Sequence, residues 1–187
     1  MQFRFLLVLF TVMLFSSCKK EKSGQNAKIS ALAATKSDFI VIDSSSISQD
    51  VPMYTFEEFQ KFLFQDDDKV HVINFWATWC KPCIEEMPSF QKINKEYSEE
   101  ELALLFVSLD FPKQLETRVK PFLKNKKVKA QVVLLDDPKG NDWIPKVDST
   151  WSGAIPATLI YKGGRRKFYE QSFTYDELKA EVEDFIN

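Results

Sequence analysis

Two cysteines three positions apart, placed where an apolar run ends, constrain this chain more than any other feature. Residues 70–77 form a continuous apolar segment that is typical of a buried strand. From Cys80 onward the apolar residues recur at helical spacing, at Cys83, Ile84, Met87, Phe90 and Tyr97. The sequence therefore predicts that Cys80 and Cys83 lie on a strand-to-helix turn. Because unpaired N–H groups and the macrodipole at a helix N-terminus favour negative charge, we expect Cys80 to ionise more readily than a free thiol, whose pKa is about 8.5.

A cysteine pair of this spacing is compatible with three kinds of site. A structural zinc ion needs two further Cys or His ligands, and the chain offers only Cys18 and His71. A purely structural disulfide across so short a loop would constrain the unfolded chain very little. We therefore predict a disulfide that opens and closes, since thiolate is the nucleophile in disulfide exchange, and we predict no metal site.

The N-terminus predicts export. Arg4 precedes the apolar residues 5–15, a segment shorter than a comfortable bilayer span. It ends in Phe15-Ser16-Ser17-Cys18, which resembles the lipobox of bacterial lipoproteins, although Phe15 departs from the usual aliphatic residue. We predict a lipoprotein signal peptide over residues 1–17, a lipid on Cys18, a flexible tether over 18–37 and a folded domain over 38–187. An ordinary signal peptide cleaved nearby is the alternative.

Composition and net charge limit the classes of molecule that we expect the protein to bind. The chain has 187 residues, of which 44% are hydrophobic, enough for a sizeable core, and a net charge of −2. Basic and acidic residues are interspersed, so we expect no nucleic-acid partner.

The remaining pattern alternates strands with helices. Thr55 and Glu58 predict a capping box for a helix over residues 56–63, and Thr174 with Glu177 predicts the same for a final helix. A helix is also predicted over 114–126, interrupted near Pro121. The remaining strands are predicted at 39–42, 102–109 and 131–135, with a hairpin formed by 158–161 and 167–170.

The motif block resembles a known superfamily. Residues 75–83, Phe-Trp-Ala-Thr-Trp-Cys-Lys-Pro-Cys, look like the active-site block of the thioredoxin superfamily. With residues 84–88, the segment 153–158 and the N-terminal anchor, the chain from about 51 to 187 is similar to the anchored oxidoreductases of the TlpA/ResA type. The resemblance implies an α/β thioredoxin-like fold, with a mixed central sheet flanked by helices.

The resemblance also implies roles for individual residues. Cys80 would attack the substrate disulfide and Cys83 would resolve the mixed disulfide. Ile155-Pro156 would form a cis peptide bond facing the two sulfurs, and Trp79 would join them in substrate binding. Glu86 would be the carboxylate that this family keeps near the cysteines, and a solvated helix carboxylate like Glu85 is the alternative.

Two features depart from the thioredoxin pattern or lie outside it. Asn74 occupies the strand position where thioredoxin has a buried aspartate, and an amide cannot shuttle a proton. Trp143 and Trp151 are close to the pocket in the sequence; they are candidates for a substrate groove, although a core position is commoner for tryptophan.

The resulting functional hypothesis is a lipid-anchored thiol-disulfide oxidoreductase in the bacterial periplasm that reduces specific protein disulfides. It implies a membrane thiol-disulfide electron donor, no cofactor, and a role such as cytochrome c biogenesis. One alternative is a thiol peroxidase, which Ala77 disfavours because that chemistry needs threonine there. Another is a metallochaperone or non-catalytic binding module, in which His71 would assist the two thiolates in holding a soft metal.

Overall fold

The structure of this protein, a computed structural model, describes residues 50–187. The predicted signal peptide, lipidated Cys18, tether and strand 39–42 lie outside the described residues and stay predictions. Among the described residues, no helix has the length and apolar character needed to cross a bilayer.

The described residues form six strands, which are β1 Met53–Tyr54, β2 Val70–Trp76, β3 Leu102–Ser108, β4 Gln131–Leu135, β5 Ala157–Lys162 and β6 Arg165–Tyr169. These strands make one mixed sheet in the order β1-β4-β3-β2-β5-β6. The first four in that order run parallel, and β5 and β6 are antiparallel to their neighbours. This confirms the mixed sheet expected from the sequence.

Helices cover both faces of the sheet. They are α1 Phe56–Phe59, continued by a 3-10 turn Gln60–Leu63, then α2 Lys81–Glu96, α3 Lys120–Lys126, α4 Gly140–Val147 and α5 Tyr175–Ile186. Both capping boxes are present, at Thr55 with Glu58 and at Thr174 with Glu177. These caps satisfy N–H groups that the first turn of a helix leaves without partners.

Strand β2 lies in the middle of the sheet and is buried on both faces. Because side chains alternate along a strand, Val72 and Trp76 pack with α2 and α5, while Ile73 and Phe75 pack with α1 and α4. This burial explains why the sequence shows a continuous apolar run instead of an alternating one.

Three local features differ from the sequence-based expectations. The predicted helix 114–126 consists of a 3-10 turn Pro112–Gln114, a π-helical segment Leu115–Val119 and α3, so the irregular part precedes Pro121, which lies in the first turn of α3. Proline cannot donate an N–H to the preceding helical turn and crowds the carbonyl four residues before it, which is consistent with the π-helical segment directly before Pro121. Strand β1 and helix α4 were not predicted, since two residues carry no periodicity and α4 contains Pro145.

Candidate active site

Cys80 and Cys83 form a disulfide at the start of α2, as the sequence predicts. Their Cα atoms are 5.3 Å apart. Cys80 is the N-cap residue, and Pro82 occupies the first turn. The backbone N–H of Cys83 donates to Sγ of Cys80 at 3.3 Å, so a helix-terminal donor faces the sulfur that precedes the helix. Cys83 is fully buried, whereas Cys80 retains 5% exposure, and only Cys80 of the pair presents any surface to a substrate.

The loop before β5 faces this disulfide. The Ile155–Pro156 peptide bond is cis, as the resemblance implied. The carbonyl oxygen of Ile155 lies 3.7 Å from Sγ of Cys80, a position in which it could accept from a reduced Cys80 thiol. The indole N–H of Trp151 donates to the carbonyl of Ala154 at 2.8 Å. This hydrogen bond holds the residue directly before Ile155.

Glu86 is a buried carboxylate on the same helix as the cysteines. It is 4% exposed, whereas its neighbour Glu85 is exposed, so the alternative of a solvated carboxylate is wrong for Glu86. Its Oε2 accepts from the backbone N–H of Phe173 at 2.8 Å. Burial raises the pKa of Glu86 from 4.5 to about 7, although the two hydrogen bonds that its oxygens accept, from Phe173 and Asn74, oppose the shift.

Asn74 and Thr158 complete the polar cluster around Glu86. The amide of Asn74 donates to Oε1 of Glu86 at 2.9 Å and to Oγ1 of Thr158 at 3.1 Å. The two residues lie directly opposite each other on β2 and β5. Sequence reasoning treated Asn74 only as a missing acid and did not single out Thr158. The available signal was a polar residue inside each of two otherwise apolar strands, but their register was not readable from the sequence.

A cleft of about 400 Å³ runs beside the first turns of α2 and reaches Glu86. Its wall is formed by Pro82, Glu85, Glu86 and Ser89 from the helix, by residues 172–174 before α5, and by Tyr175, the first residue of α5. Solvent can therefore reach one side of an otherwise buried carboxylate.

Three tryptophans were also candidates for substrate binding from the sequence. Trp79, directly before Cys80, is 57% exposed. Trp143 and Trp151 are both buried and pack against each other, with ring centroids 5.6 Å apart. The substrate-groove interpretation of these two tryptophans is therefore wrong. Trp151 supports the loop that carries Ile155, which the sequence did not indicate.

His71 lies away from the cysteines. It sits at the beginning of β2, and the cysteines follow the end of that strand, roughly 16 Å further along at about 3.3 Å per residue. Its Nε2 is 2.8 Å from Oδ1 of Asp67, and its ring stacks on Tyr161. Burial lowers the pKa of His71, while Asp67 opposes that shift. Within residues 50–187, no group of three or more Cys, His, Asp or Glu side chains is arranged to hold a metal ion.

Comparison with known proteins gives the family. A family model described as the AhpC/TSA family matches residues 42–162, well over half of the chain. The chain belongs to the AhpC/TSA family.

Curated relatives of this AhpC/TSA chain include two from Bacillus. The thioredoxin-like protein YneN of Bacillus subtilis is 42% identical over 64 residues, which is 34% of this chain and 37% of that protein. The thiol-disulfide oxidoreductase ResA of Bacillus cereus is 35% identical over 116 residues, which is 61% of this chain and 60% of that protein. The chain thus spans less than two thirds of the length of these relatives.

Solved structures show the fold. A thioredoxin-related protein from Neisseria meningitidis serogroup B superimposes with a TM-score of 0.55 and 23% identity, covering 65% of this chain and 87% of that chain. A thiol-disulfide isomerase from Corynebacterium glutamicum gives a TM-score of 0.54 and 16% identity, covering 65% of this chain and 83% of that one. This AhpC/TSA protein therefore has the thioredoxin-like α/β fold that its sequence predicts.

Proposed function

We propose that this protein is a thiol-disulfide oxidoreductase that reduces disulfides of specific substrate proteins. The observation that carries the proposal is the Cys80–Cys83 disulfide at a helix N-terminus, with the Ile155 carbonyl 3.7 Å from the sulfur of Cys80. The relatives named thiol-disulfide oxidoreductase support the same chemistry.

The reaction starts from the reduced pair. The Cys80 thiolate attacks one sulfur of the substrate disulfide, forming a mixed disulfide and releasing the other substrate sulfur as a thiolate. Cys83, as a thiolate, then attacks Sγ of Cys80 and releases the second substrate thiolate. Two electrons pass to the substrate, whose two thiolates take up protons, and the enzyme is left with the Cys80–Cys83 disulfide. A thiol-disulfide donor in the membrane returns two electrons to the pair.

Glu86 is the group we assign to proton handling in the second step. Cys83 must lose its proton before it can attack. The carboxylate of a group with a pKa of about 7 is suited to accept that proton at neutral pH. Glu86 follows Cys83 by three residues, so the two side chains share one face of α2. The cleft beside Glu86 supplies the route by which this proton exchanges with solvent.

Substrate contact is assigned to Trp79, Ile155 and Pro156. The exposed indole of Trp79 adjoins the attacking cysteine. An extended substrate segment can pair with the backbone of Ile155 as an added strand, which brings its disulfide to Cys80. The position of Pro156 directly after Ile155 fixes that backbone next to the sulfur.

The location belongs to the same proposal. A signal peptide over residues 1–17 would direct export, and a lipid on Cys18 would anchor the protein to a membrane. A tether over 18–37 would let the domain 38–187 reach its partners. With such an anchor, the domain would act in the periplasm. Lipidation of Cys18 also leaves Cys80 and Cys83 as the two remaining cysteines, one complete redox pair. Cytochrome c biogenesis stays a prediction about the substrate.

Cysteine variants test the mechanism. Cys83→Ser should accumulate a mixed disulfide with oxidised insulin on a non-reducing gel, because Cys80 attacks and nothing resolves the product. Cys80→Ser should give none, since Cys83 has no exposed surface. Equal trapping by both variants would refute these roles. Consumption of hydrogen peroxide faster than of insulin disulfides by the wild type would favour a thiol peroxidase instead.

The reduction potential of the pair tests the direction. A value near that of thioredoxin, about −270 mV, supports a reductase, whereas one near about −120 mV would make the protein an oxidant.

A further inference from the structure

Two exposed aromatic side chains lie on neighbouring loops at the disulfide end of the sheet. Among the described residues, four large apolar side chains are exposed: Met53 at 49%, Phe64 at 67%, Trp79 at 57% and Phe111 at 70%. Trp79 follows the end of β2 and Phe111 follows the end of β3. Because β2 and β3 are adjacent and parallel, their following loops emerge side by side.

Hydrogen bonds join these two loops. The N–H of Leu109 donates to the carbonyl of Trp76 at 2.8 Å. The backbone N–H and the hydroxyl of Thr78 donate to the two carboxylate oxygens of Asp110, at 2.9 Å and 2.6 Å. Ser108 also donates to Asp110, which is 2% exposed. Trp79 and Phe111 each come one residue after a member of the Thr78–Asp110 pair, in which Asp110 is buried and Thr78 is half-buried, so both exposed rings stand on backbone that is held in place.

The order of the strands defines what lies on each side of the attacking cysteine. Strand β2, which leads into Cys80, has β5 on one side and β3 on the other. The Ile155 loop belongs to the β5 side and Phe111 to the β3 side. A substrate segment that pairs with Ile155 lies on one side of Cys80, and a segment that extends across the cysteine to the opposite side would meet the Phe111 loop.

A single exposed aromatic residue is common on protein surfaces and by itself indicates nothing. Here the ring stands on a loop that a buried carboxylate immobilises, so its contact with a substrate costs little conformational entropy. Aromatic side chains of this kind are the residues that dominate binding at interfaces. We propose that Phe111 is a specificity-determining residue, which contacts an apolar side chain close to the attacked disulfide of a protein substrate.

This inference rests on the proposed oxidoreductase activity, and the probes are chosen to separate the two. One probe is a peptide with an internal disulfide flanked by leucines, and the second is the same peptide flanked by serines. The third is dithionitrobenzoate, a small disulfide without flanking residues. Protein reduced beforehand with dithiothreitol and desalted is mixed with each probe, and the single-turnover rate is recorded as Cys80 and Cys83 pass their two electrons to the probe disulfide.

The wild-type protein should reduce the leucine-flanked peptide about tenfold faster than the serine-flanked one, a ratio that one well-buried aromatic contact supplies. Phe111→Ser should abolish this preference, and Phe111→Leu should retain most of it. The matched control is Phe64→Ser, which removes an equally exposed phenylalanine at the opposite end of the sheet, next to Arg166. The control should keep the wild-type preference, and all four proteins should reduce dithionitrobenzoate at the same rate.

Three results would overturn the inference. The first is a preference for the leucine-flanked peptide that is unchanged in Phe111→Ser. The second is a loss of dithionitrobenzoate reduction in that variant that equals its loss of peptide reduction. The third is a wild-type dimer that this substitution dissociates, which would assign Phe111 to a contact between copies. A wild-type protein that reduces none of the three probes would instead refute the proposed function.

Discussion

Replacing Glu86 with glutamine should change how the stability of the protein depends on pH. The carboxylate has a pKa of about 7 in the folded protein against an ordinary value of 4.5, and burial is the main cause. The folded state therefore holds the proton of Glu86 more tightly than the unfolded state does. Stability from this group is fully present below pH 4.5 and is lost as the pH rises through about 7.

The magnitude follows from the two pKa values. At about 1.36 kcal/mol per pH unit, the difference between 4.5 and about 7 corresponds to about 3 kcal/mol. Glu86→Gln keeps the size of the side chain and removes its ionisation. We expect the free energy of unfolding of the variant, relative to the wild type, to rise by about 3 kcal/mol between pH 4.5 and pH 8.

The measurement is urea unfolding of both proteins from pH 4.5 to 8.5 with the disulfide intact, so that the cysteines do not titrate. Other groups cancel in the difference between the two proteins. His71 is one of them: its pKa is lowered in the folded state, so its contribution to stability is lost as the pH falls, a dependence opposite in sign to that of Glu86. Two parallel curves would show that Glu86 ionises in the folded protein as it does in the unfolded chain, and would remove it from proton handling.

Two further predictions concern the loop and the anchor. Trp151→Phe should lower the free energy of unfolding by about 2 kcal/mol and also slow insulin reduction, because the indole donates to the carbonyl of Ala154 beside Ile155. The control is Trp143→Phe, which removes an indole that donates to the carbonyl of Asp137. This variant should lose a similar free energy of unfolding but reduce insulin at the wild-type rate. Equal rates of insulin reduction in the two variants would contradict the role of Trp151. Cys18→Ser should release the protein from the membrane fraction with its dithionitrobenzoate activity intact, and retention in that fraction would indicate an uncleaved apolar anchor.

The parts of the fold that the sequence predicts are those with a strong local signal. The cysteine turn, the capping boxes at Thr55 and Thr174, and strand β4 each depend on residues within a few positions of one another, and the structure contains all of them. Helix α4 was missed because its apolar spacing is interrupted by Pro145. Its role also depends on Trp143 packing against Trp151, a contact that only tertiary structure brings about.

The sequence predicts the site residues that belong to a motif, but it does not predict the environments that depend on tertiary packing. Cys80, Cys83 and Pro156 belong to recognisable segments. The buried state of Glu86 depends instead on the segment at Phe173, which is 87 residues away in sequence and donates its N–H to the carboxylate. The three-residue spacing from Cys83 places Glu86, and not Glu85, on the cysteine side of α2, but nothing local shows whether the carboxylate on that side is buried or solvated.

Asn74 and Glu86 form one hydrogen-bonded arrangement, in which Glu86 is the acid that we propose serves the buried side of the cysteine pair. The amide of Asn74 lies 2.9 Å from Oε1 of Glu86 and donates to it. An aspartate at position 74 would place a second carboxylate within hydrogen-bond distance, and two such groups cannot both ionise without a large cost. A neutral amide donates to the Glu86 carboxylate but carries no charge to offset its desolvation, so the pKa of Glu86 remains near 7. The acid that thioredoxin places on the strand is thus placed on the helix in this chain, one turn from Cys83, and the strand contributes the donor that orients it.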